Sequence, residues 1–394
     1  MNALLGGPLG RRLRDVTGLL RSAARYRVGM VRALAELTRI LRPAGGGLYL
    51  VSTGREEQLA MQRQIYGAAR DEDVGARWRE ALERIQSAKV AILGVPSDVG
   101  AGFLRGANMG PAAIRAALLA GGGLPDGVVD AGDVFVVPQL LHDDMLSFAQ
   151  LAATRRALYP DLAAEEAAKL PVSPLSIAER ALDLLFEVNP TIAPFVIGGD
   201  HSTAWPAAAA LARRAARDGT KWAIVQIDAH TDMLEERLGV KICFATWSFH
   251  ASRLFDRPDK MVQLGIRASR HERAHWESTT GIRQHWADEC AARPDATIDA
   301  VIAHLGAMGV ERVYFSNDID GTDASFADAT GTPEPNGLTP DFVSRLIARL
   351  GAEIGLLGGD IMEVAPPIQR TPDGAKRTVD LAVRYARETI AAVR

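Results

Sequence analysis

The feature that most constrains the fold is the alternation, from Val90 onward, of short apolar runs with segments of helical periodicity. Apolar runs of this length, bounded by polar residues or glycine, are typical of parallel strands that are buried on both faces. Helices between such strands carry the chain back across the sheet, so a doubly wound α/β sheet is expected. The predicted strands are Val90–Val95, Phe195–Ile197, Trp222–Ile227, Met261–Leu264, Val313–Phe315 and Ile354–Leu357.

Helical segments lie between several of these runs. Pro111, at a first-turn position, precedes Ala112–Ala120, and three glycines then end this helix. A second helix, Ser176–Val188, follows Pro174 and places its apolar residues on one face. Residues 140–172 are predicted to form a helical insertion with no recognisable chemistry. The pattern indicates an α/β fold built on a mainly parallel sheet.

The first 87 residues differ from the rest. Arg11–Arg42 is rich in arginine, nearly free of acids and apolar at helical spacing, which predicts an amphipathic helix. An organelle-targeting peptide or a membrane-surface helix is an alternative, but we favour an extension that packs on a neighbouring subunit. Pro43–Gly47 breaks this helix, and a second helical stretch, Glu56–Gln86, follows it. We expect a helical extension over residues 1–87 and a main domain over residues 88–394.

Composition narrows the functional classes. The formal net charge of -3 gives no excess that would indicate nucleic acid or an anionic membrane as a partner. No apolar run approaches the roughly 20 residues that span a membrane, and the N-terminus lacks the pattern of a secretory signal. Cys243 and Cys290 are too few for a disulfide framework and are not spaced as a zinc knuckle. We expect a cytoplasmic protein with free thiols.

Polar motifs follow four of the predicted strands. Ligands of open parallel sheets bind beyond the carboxyl ends of the strands, so these motifs are where chemistry is expected. Side chains two apart on extended backbone point the same way, so Asp228, His230 and Asp232 are predicted to converge, as are the two aspartates of the third motif. The motifs are Gly198–Ser202, Asp228–Asp232, Ser316–Asp320 and Gly358–Glu363.

Carboxylates that point at one place repel each other and raise each other's pKa unless cations lie between them. Two divalent metals would remove this conflict. Imidazole with mostly carboxylate oxygen suits manganese, with nickel or iron as alternatives, and a zinc–thiolate site is excluded because neither cysteine lies in the motifs. Two such metals can share one hydroxide and make it a nucleophile at neutral pH. The candidate ligands are His201, Asp228, His230, Asp232, Asp318 and Asp320.

These motifs resemble the signature set of the ureohydrolase family, which includes arginase, agmatinase and guanidinobutyrase. The resemblance extends from about Val90 to the end of the chain. It implies a three-layer α/β/α sandwich that assembles as a homo-oligomer, either a trimer or a hexamer. The stretches that carry it are Gly199–Ser202, Asp228–Asp232, Asp318–Asp320 and Glu363–Pro366, with Gly94–Pro96, Arg105–Gly106, Met109–Pro111 and the agmatinase-like Ala329–Pro335 beside them.

The resemblance also implies roles for single residues. Glu363 would bind the substrate guanidinium through charge-assisted hydrogen bonds, whose paired geometry suits these two groups. Asp323 and Ser202 are further candidates for substrate contact or for support of the ligands. One metal would be held by His201, Asp228, Asp232 and Asp318, and the other by His230, Asp228, Asp318 and Asp320.

Two positions depart from the family pattern. Asp323 is followed by alanine where the family usually has proline. In the loop after Asp232, agmatinases commonly carry a His-Gly pair whose histidine helps to shuttle protons. By position Thr246 replaces that histidine, and His250 comes four residues later. The stretch Trp247–Ala251 and the N-terminal extension resemble nickel-dependent guanidine hydrolases, a branch of the same family.

The loop after Asp232 bears on the size of the substrate. Trp247 and Phe249 are predicted to shorten the pocket, so that guanidine or a short alkylguanidine fits better than agmatine, with an aromatic face against the cation. In this hypothesis His250 takes over proton transfer or hydrogen bonding to the substrate, and Thr246 is a further catalytic candidate by its position. Alternatively, the loop folds away and its aromatic residues pack in a subunit interface.

The predicted activity is attack of hydroxide on a guanidinium carbon, which releases urea and an amine or ammonia. One alternative is hydrolysis of a formimino group, which uses the same metals and releases formamide. Another is a catalytically silent subunit that supports a mixed oligomer, although the presence of all six candidate ligands argues against it. A product assay separates the first two, and metal content tests the third.

Overall fold

The computed structural model describes residues 27–48 and 50–393, so the part of the amphipathic segment before residue 27 lies outside the described residues. Within the described residues, nine strands form one sheet. The strands are β1 (Leu41–Arg42), β2 (Val90–Val95), β3 (Val128–Val134), β4 (Ala193–Gly198), β5 (Trp222–Ile227), β6 (Met261–Ile266), β7 (Arg283–Trp286), β8 (Arg312–Asn317) and β9 (Leu356–Ile361).

The order of strands across the sheet is β1-β3-β2-β4-β9-β8-β5-β6-β7. β1 runs antiparallel to β3, and the other neighbouring pairs are parallel. Parallel neighbours require crossover connections, which the helices provide. The strands β4, β9, β8 and β5 are consecutive in the middle of the sheet, so their carboxyl ends lie side by side.

Helices cover both faces of the sheet. Alternate residues of β2 enter two separate cores, since Ala91 and Leu93 lie in one and Val90 and Ile92 lie in the other. The architecture is therefore the three-layer α/β/α sandwich that was predicted. The helices are α1 (27–40), α2 (Arg55–Tyr66), α3 (Val74–Arg84), α4 (Gly110–Ala120), α5 (Phe148–Leu158), α6 (Ala164–Ala167), α7 (Pro174–Val188), α8 (Trp205–Asp218), α9 (Trp247–Ser252), α10 (Arg273–Thr280), α11 (Ala287–Ala292), α12 (Pro294–Ala307), α13 (Pro340–Glu353) and α14 (Gly374–Ala392).

The predicted bounds of the last strand were wrong. The expected run Ile354–Leu357 begins and ends too early, because Gly358 and Gly359 look like a turn but lie inside β9. A Cβ on Gly358 would clash with the Pro194 carbonyl oxygen of the neighbouring β4. These glycines therefore mark the close approach of strands and not the end of one.

Three strands were not predicted, and buried polar residues explain two of them. Asp130 and Asp133 interrupt the apolar pattern of β3, and both are buried against the guanidinium of Arg115 on α4. Gln284 and His285 interrupt the apolar pattern of β7, and both are almost fully buried. The third, β1, has only two residues and lacks a pattern to detect.

The described part of the N-terminal extension packs on its own chain. Leu37 and Ile40 of α1 are buried in the core formed with α7 and α8. β1 then adds a strand to β3, and the carboxylate of Asp133 accepts hydrogen bonds from the main-chain N–H groups of Gly45 and Gly47. Residues 27–48 thus belong to the packed body of the domain, and contact with a neighbouring subunit stays a prediction.

Candidate metal centre

The sheet brings the four sequence motifs to one edge. His201 follows β4, Asp228 follows β5, Asp318 follows β8 and Glu363 follows β9. These are the four central strands of the sheet, so their carboxyl ends adjoin. The motifs are therefore neighbours in space, as predicted from the topology of open parallel sheets.

One cluster surrounds His201. Its Nδ1 lies 3.0 Å from Oδ2 of Asp228, 3.3 Å from Oδ2 of Asp232 and 3.0 Å from Oδ2 of Asp318. All four side chains are buried. The structure thus brings the four side chains of the first candidate set together.

A second cluster surrounds His230. Its Nδ1 lies 3.1 Å from Oδ2 of Asp320 and 3.6 Å from Oδ1 of Asp228. Asp228 presents one oxygen to each cluster and joins them. Asp318 contacts His201 through Oδ2, whereas its Oδ1 accepts the main-chain N–H of Asp320. Its predicted second contact, on the His230 side, is not seen.

The convergence of the Asp228 motif has a different cause from the one predicted. β5 ends at Ile227, and the chain bends at Ala229 and His230. Oδ1 of Asp228 accepts the main-chain N–H of His230 at 2.6 Å, and Asp232 has a left-handed backbone with φ of 50°. A tight turn held by an aspartate side chain, and not the alternation of a strand, therefore aims these side chains inward.

Burial and the closeness of several carboxylates shift the pKa values of the side chains in both clusters. Burial and the neighbouring carboxylate of Asp228 raise the pKa of Asp232 to about 7. Burial opposes the charge on His201 and His230, but the surrounding carboxylates raise the pKa of His201 well above its usual range and that of His230 to about 12. The site thus attracts positive charge strongly.

One further observation indicates that these residues fit a divalent metal ion. Nδ1 of His201 is buried and makes no hydrogen bond of acceptable geometry within the described chain, although three carboxylate oxygens crowd around it. One ring nitrogen can donate a single proton, so it cannot satisfy three acceptors. A cation placed among the same four atoms satisfies all of them, and the His201–Asp228–Asp232 and Asp228–His230–Asp320 groups each have ligand atoms within 4.8 Å of one another.

Glu363 lies beside the first cluster. Its Oε1 accepts the main-chain N–H of His201 at 3.0 Å, while no described donor contacts Oε2. Its backbone is left-handed, with φ of 61°, which is rare for a residue with a side chain and costs about 1–3 kcal/mol. A Cβ on Gly331 would lie 3.7 Å from that free Oε2. One carboxylate oxygen is thus fixed, and the other faces Gly331.

The structure places the residues of the loop after Asp232 at different depths. Thr246 is fully buried and its hydroxyl accepts the main-chain N–H of Cys243 at 2.8 Å. Trp247 is also fully buried and its indole N–H donates to Oδ2 of Asp232 at 3.1 Å, so its ring packs behind a candidate ligand and does not line an open pocket. His250 is half-buried, with Nε2 at 2.9 Å from the Glu235 carbonyl oxygen.

Two further candidates make only local contacts. Oδ1 of Asp323 accepts from the N–H and hydroxyl of Ser325, and its Oδ2 accepts from the N–H of Gly337. It therefore shapes its own loop, and the structure does not bring it to the clusters. The N–H of Ser202 donates to Asp200, and its hydroxyl is buried without a described partner.

Gln226 and Glu334, which lie near the clusters, were not predicted. Gln226 donates from Nε2 to Oδ2 of Asp228 at 2.7 Å. Oε1 of Glu334 lies 3.9 Å from Nε2 of His230 at the rim of the site. A glutamine in the middle of the buried strand β5 is a detectable signal, because a buried polar side chain needs a partner. Glu334 lies in a loop without such a signal.

None of the described helices combines the length and the apolar character that a membrane crossing requires.

The chain is similar to several proteins of known family. A sequence model of the arginase family matches residues 88–392. The chain is 30% identical to the guanidinobutyrase of Pseudomonas aeruginosa. This match spans 295 residues, 71% of this chain and 80% of the relative. It is also 28% identical to the mitochondrial agmatinase of Gallus gallus. This match spans 288 residues, 70% of this chain and 74% of the relative. The solved structure of proclavaminate amidino hydrolase from Streptomyces clavuligerus superposes with a TM-score of 0.57 at 28% identity, over 77% of this chain and 92% of the other.

Proposed function

Because the chain belongs to the arginase family, whose members are hydrolases that act on C–N bonds, we propose that it holds two divalent metal ions and hydrolyses a small guanidino compound to urea and an amine or ammonia. The observation that carries this proposal is the pair of histidine–aspartate clusters joined by Asp228. The choice of a guanidino substrate is supported by the similarity of the chain to a guanidinobutyrase and an agmatinase, whose names indicate guanidino substrates.

Each candidate ligand is proposed to hold one of the two ions or both. His201, Asp232 and Asp318 would hold one ion, His230 and Asp320 the other, and Asp228 would touch both. When bound, the ions would lower the pKa of a water molecule, so that a nucleophile is present at neutral pH. Carboxylate oxygen with some imidazole suits Mn²⁺ best, with Ni²⁺ as the second choice.

Glu363 is proposed to hold the substrate. Burial and the carboxylate of Asp200 raise the pKa of Glu363 well above its ordinary value. A guanidinium beside Oε2 reverses this effect, since a nearby cation favours the ionised acid. The N–H of His201 keeps Oε1 in place, so the carboxylate is already oriented when the substrate arrives.

Gly331 and Leu104 lie beside the free oxygen of Glu363. Gly331 approaches both Oε2 of Glu363 and the Leu104 carbonyl oxygen, since a Cβ on Gly331 would lie 3.7 Å from each. Two loops therefore adjoin the oxygen that would meet the guanidinium, and the choice of a small substrate rests on the resemblance of Trp247–Ala251 to guanidine hydrolases. The proposed parts of Thr246 and Trp247 are indirect, because both are fully buried. His250 is proposed as a proton carrier, and burial lowers its pKa so that it is neutral at pH 7.

Assembly and compartment complete the proposal. We expect a homo-oligomer, trimer or hexamer, as the resemblance implies. A cytoplasmic location fits the two cysteines, Cys243 and Cys290, which are both buried and free, because thiols persist in a reducing compartment.

The test uses the purified full chain. Metal content is measured first, and urea is then measured with Mn²⁺ or Ni²⁺ for guanidine, methylguanidine, guanidinobutyrate, arginine and agmatine. We expect two ions per chain and the highest kcat/KM for one of the two smallest compounds, with His250→Ala slower on that compound. Absence of urea from every compound in metal-loaded protein would overturn the activity. Preference for arginine or agmatine, with His250→Ala unaffected, would overturn the substrate class and the role of His250.

A further inference from the structure

Three buried glutamines form a row that leads away from the candidate metal centre. Gln226 of β5, Gln263 of β6 and Gln284 of β7 are aligned by the strand register, in which Gln226 pairs with Gln263 and Gln263 with Gln284. Each side chain is completely buried. We call this row the glutamine ladder.

Hydrogen bonds connect the ladder in one direction. Trp286 donates to Gln284 at 3.0 Å, Gln284 donates to Gln263 at 2.8 Å, and Gln263 donates to Gln226 at 2.9 Å. Gln226 then donates from Nε2 to Oδ2 of Asp228 at 2.7 Å. Every link has an N–H donor on the side of the sheet edge and an oxygen acceptor on the side of the metal centre.

The contacts fix the orientation of the Gln226 amide. Its Oε1 accepts from Nε2 of Gln263 and also from the hydroxyl of Ser248 at 2.8 Å. With two donors on the oxygen, the NH₂ group is left to face Asp228. If the amide rotated, its oxygen would face a carboxylate oxygen and two donors would lose their acceptor, which is costly in a buried site.

The ladder also reaches the loop that carries the ligands. The second N–H of Gln263 donates to the carbonyl oxygen of Thr231 at 2.6 Å, between His230 and Asp232. The ladder therefore holds the carboxylate of Asp228 and the main chain beside it.

We propose that the glutamine ladder positions the carboxylate of Asp228 for metal binding, with Gln226 acting directly and Gln263 acting through Gln226 and Thr231. This inference rests on the proposed function, since it assumes that Asp228 binds metal. Residues that hydrogen-bond to metal ligands fix ligand orientation, and their loss typically lowers metal affinity about 10–100-fold. A row of aligned amides also strengthens each successive hydrogen bond.

The experiment compares metal affinity in Gln226→Leu, Gln263→Leu and a matched control. Gln62→Leu is the control, because Gln62 is also buried and also donates one hydrogen bond, but to the Ala44 carbonyl in the extension. Mn²⁺ affinity is measured by competition with a chelator, metal content by elemental analysis, and stability by thermal unfolding.

We expect Gln226→Leu to weaken Mn²⁺ binding about 10–100-fold and Gln263→Leu to weaken it less, while Gln62→Leu loses stability and binds Mn²⁺ like wild type. If Gln226→Leu does not fold, Ser248→Ala and Gln263→Leu decide the question, and weaker binding in both is expected. Wild-type affinity in the ladder variants would overturn the positioning role alone. Failure of the wild-type chain to bind Mn²⁺ or Ni²⁺ would instead overturn the proposed function.

Discussion

The main-chain N–H of His201 donates to Oε1 of Glu363 at 3.0 Å, and this bond ties a candidate metal ligand to the proposed substrate carboxylate. The two residues follow neighbouring strands, β4 and β9, so the sheet itself sets the distance between them. The N–H also leaves Oε2 of Glu363 as the oxygen that can meet a substrate. Metal binding and substrate binding are thus assigned to separate groups that share a scaffold.

Glu363→Gln should separate those two roles. The amide oxygen can still accept the N–H of His201, so we expect normal metal content and a folded protein. A neutral amide cannot match the charge of a guanidinium, so we expect kcat/KM to fall by at least about 100-fold, which corresponds to about 2.7 kcal/mol. Elemental analysis and urea release measure the two quantities. Loss of metal in this variant would make Glu363 a ligand and its proposed role wrong.

Asp228→Asn should affect both metal sites. Asp228 is the residue shared by the two clusters, and an amide is a weaker metal ligand than a carboxylate. We expect loss of tight metal binding and of detectable turnover. Asp183→Asn, which changes an aspartate paired with Arg213 on a remote helix surface, serves as the control. Full activity and normal metal content in Asp228→Asn would contradict the assignment of the site.

How far the sequence predicts this site depends on the kind of signal each residue carries. The six candidate ligands are polar residues placed just after apolar strands, and the topology of a parallel sheet brings such positions together. Their location was therefore predictable. The orientation of Asp232 was not, because it depends on a left-handed backbone that no local pattern requires. Its support by Trp247 was not predictable either, because the aromatic ring could equally have faced the substrate.

The fold shows the same division. Strands in which most residues are apolar, such as β2 and β5, were predicted with correct bounds. β3 was missed because its polar residues are buried only in the presence of Arg115, which comes from α4. A partner that is distant along the chain cannot be read from the local pattern of hydrophobic residues. The glutamine ladder is hidden for the same reason, since its members become neighbours only across the sheet.

Arg115→Met should destabilise the protein strongly. Arg115 is fully buried and pairs with Asp130 and Asp133, so its removal leaves two carboxylates without a counter-ion. We expect a loss of about 3–5 kcal/mol in the free energy of unfolding, measured with denaturant. Arg213→Met removes a partly exposed arginine that also has two acidic partners, and a loss of at most about 1 kcal/mol is expected. Similar losses in the two variants would contradict this account.

His285 should make the stability depend on pH. Burial lowers the pKa of His285 below its ordinary value of 6.5 and outweighs the opposing effect of Glu289, whose Oε1 lies 3.5 Å from Nδ1 of the ring. The unfolded chain therefore takes up a proton near pH 6.5 while the folded chain does not, so stability is lost as the pH falls below 6.5. The slope is at most about 1.4 kcal/mol per pH unit. Chemical unfolding of wild type and His285→Phe between pH 7 and pH 5 measures it, and parallel curves for the two proteins would exclude this role.

Trp247→Phe tests whether the buried aromatic ring supports the metal centre. The indole N–H donates to Oδ2 of Asp232 at 3.1 Å, the same oxygen that lies 3.3 Å from Nδ1 of His201. Phenylalanine fills most of the space but cannot donate, so Asp232 loses the bond that orients it. We expect metal affinity to fall about 10-fold or more, with a smaller loss of kcat at saturating metal, because the ligand itself remains.

The matched control is Trp78→Phe, which also removes an indole N–H from a buried ring, here one that donates to the Ala131 carbonyl at 2.9 Å. It should lower the unfolding temperature without changing metal affinity. If Trp247→Phe kept wild-type affinity for Mn²⁺ but raised KM for guanidine, the ring would act on the substrate, as first predicted from its position after Asp232. If affinity fell while KM at saturating metal stayed constant, Trp247 would be a positioning residue for Asp232.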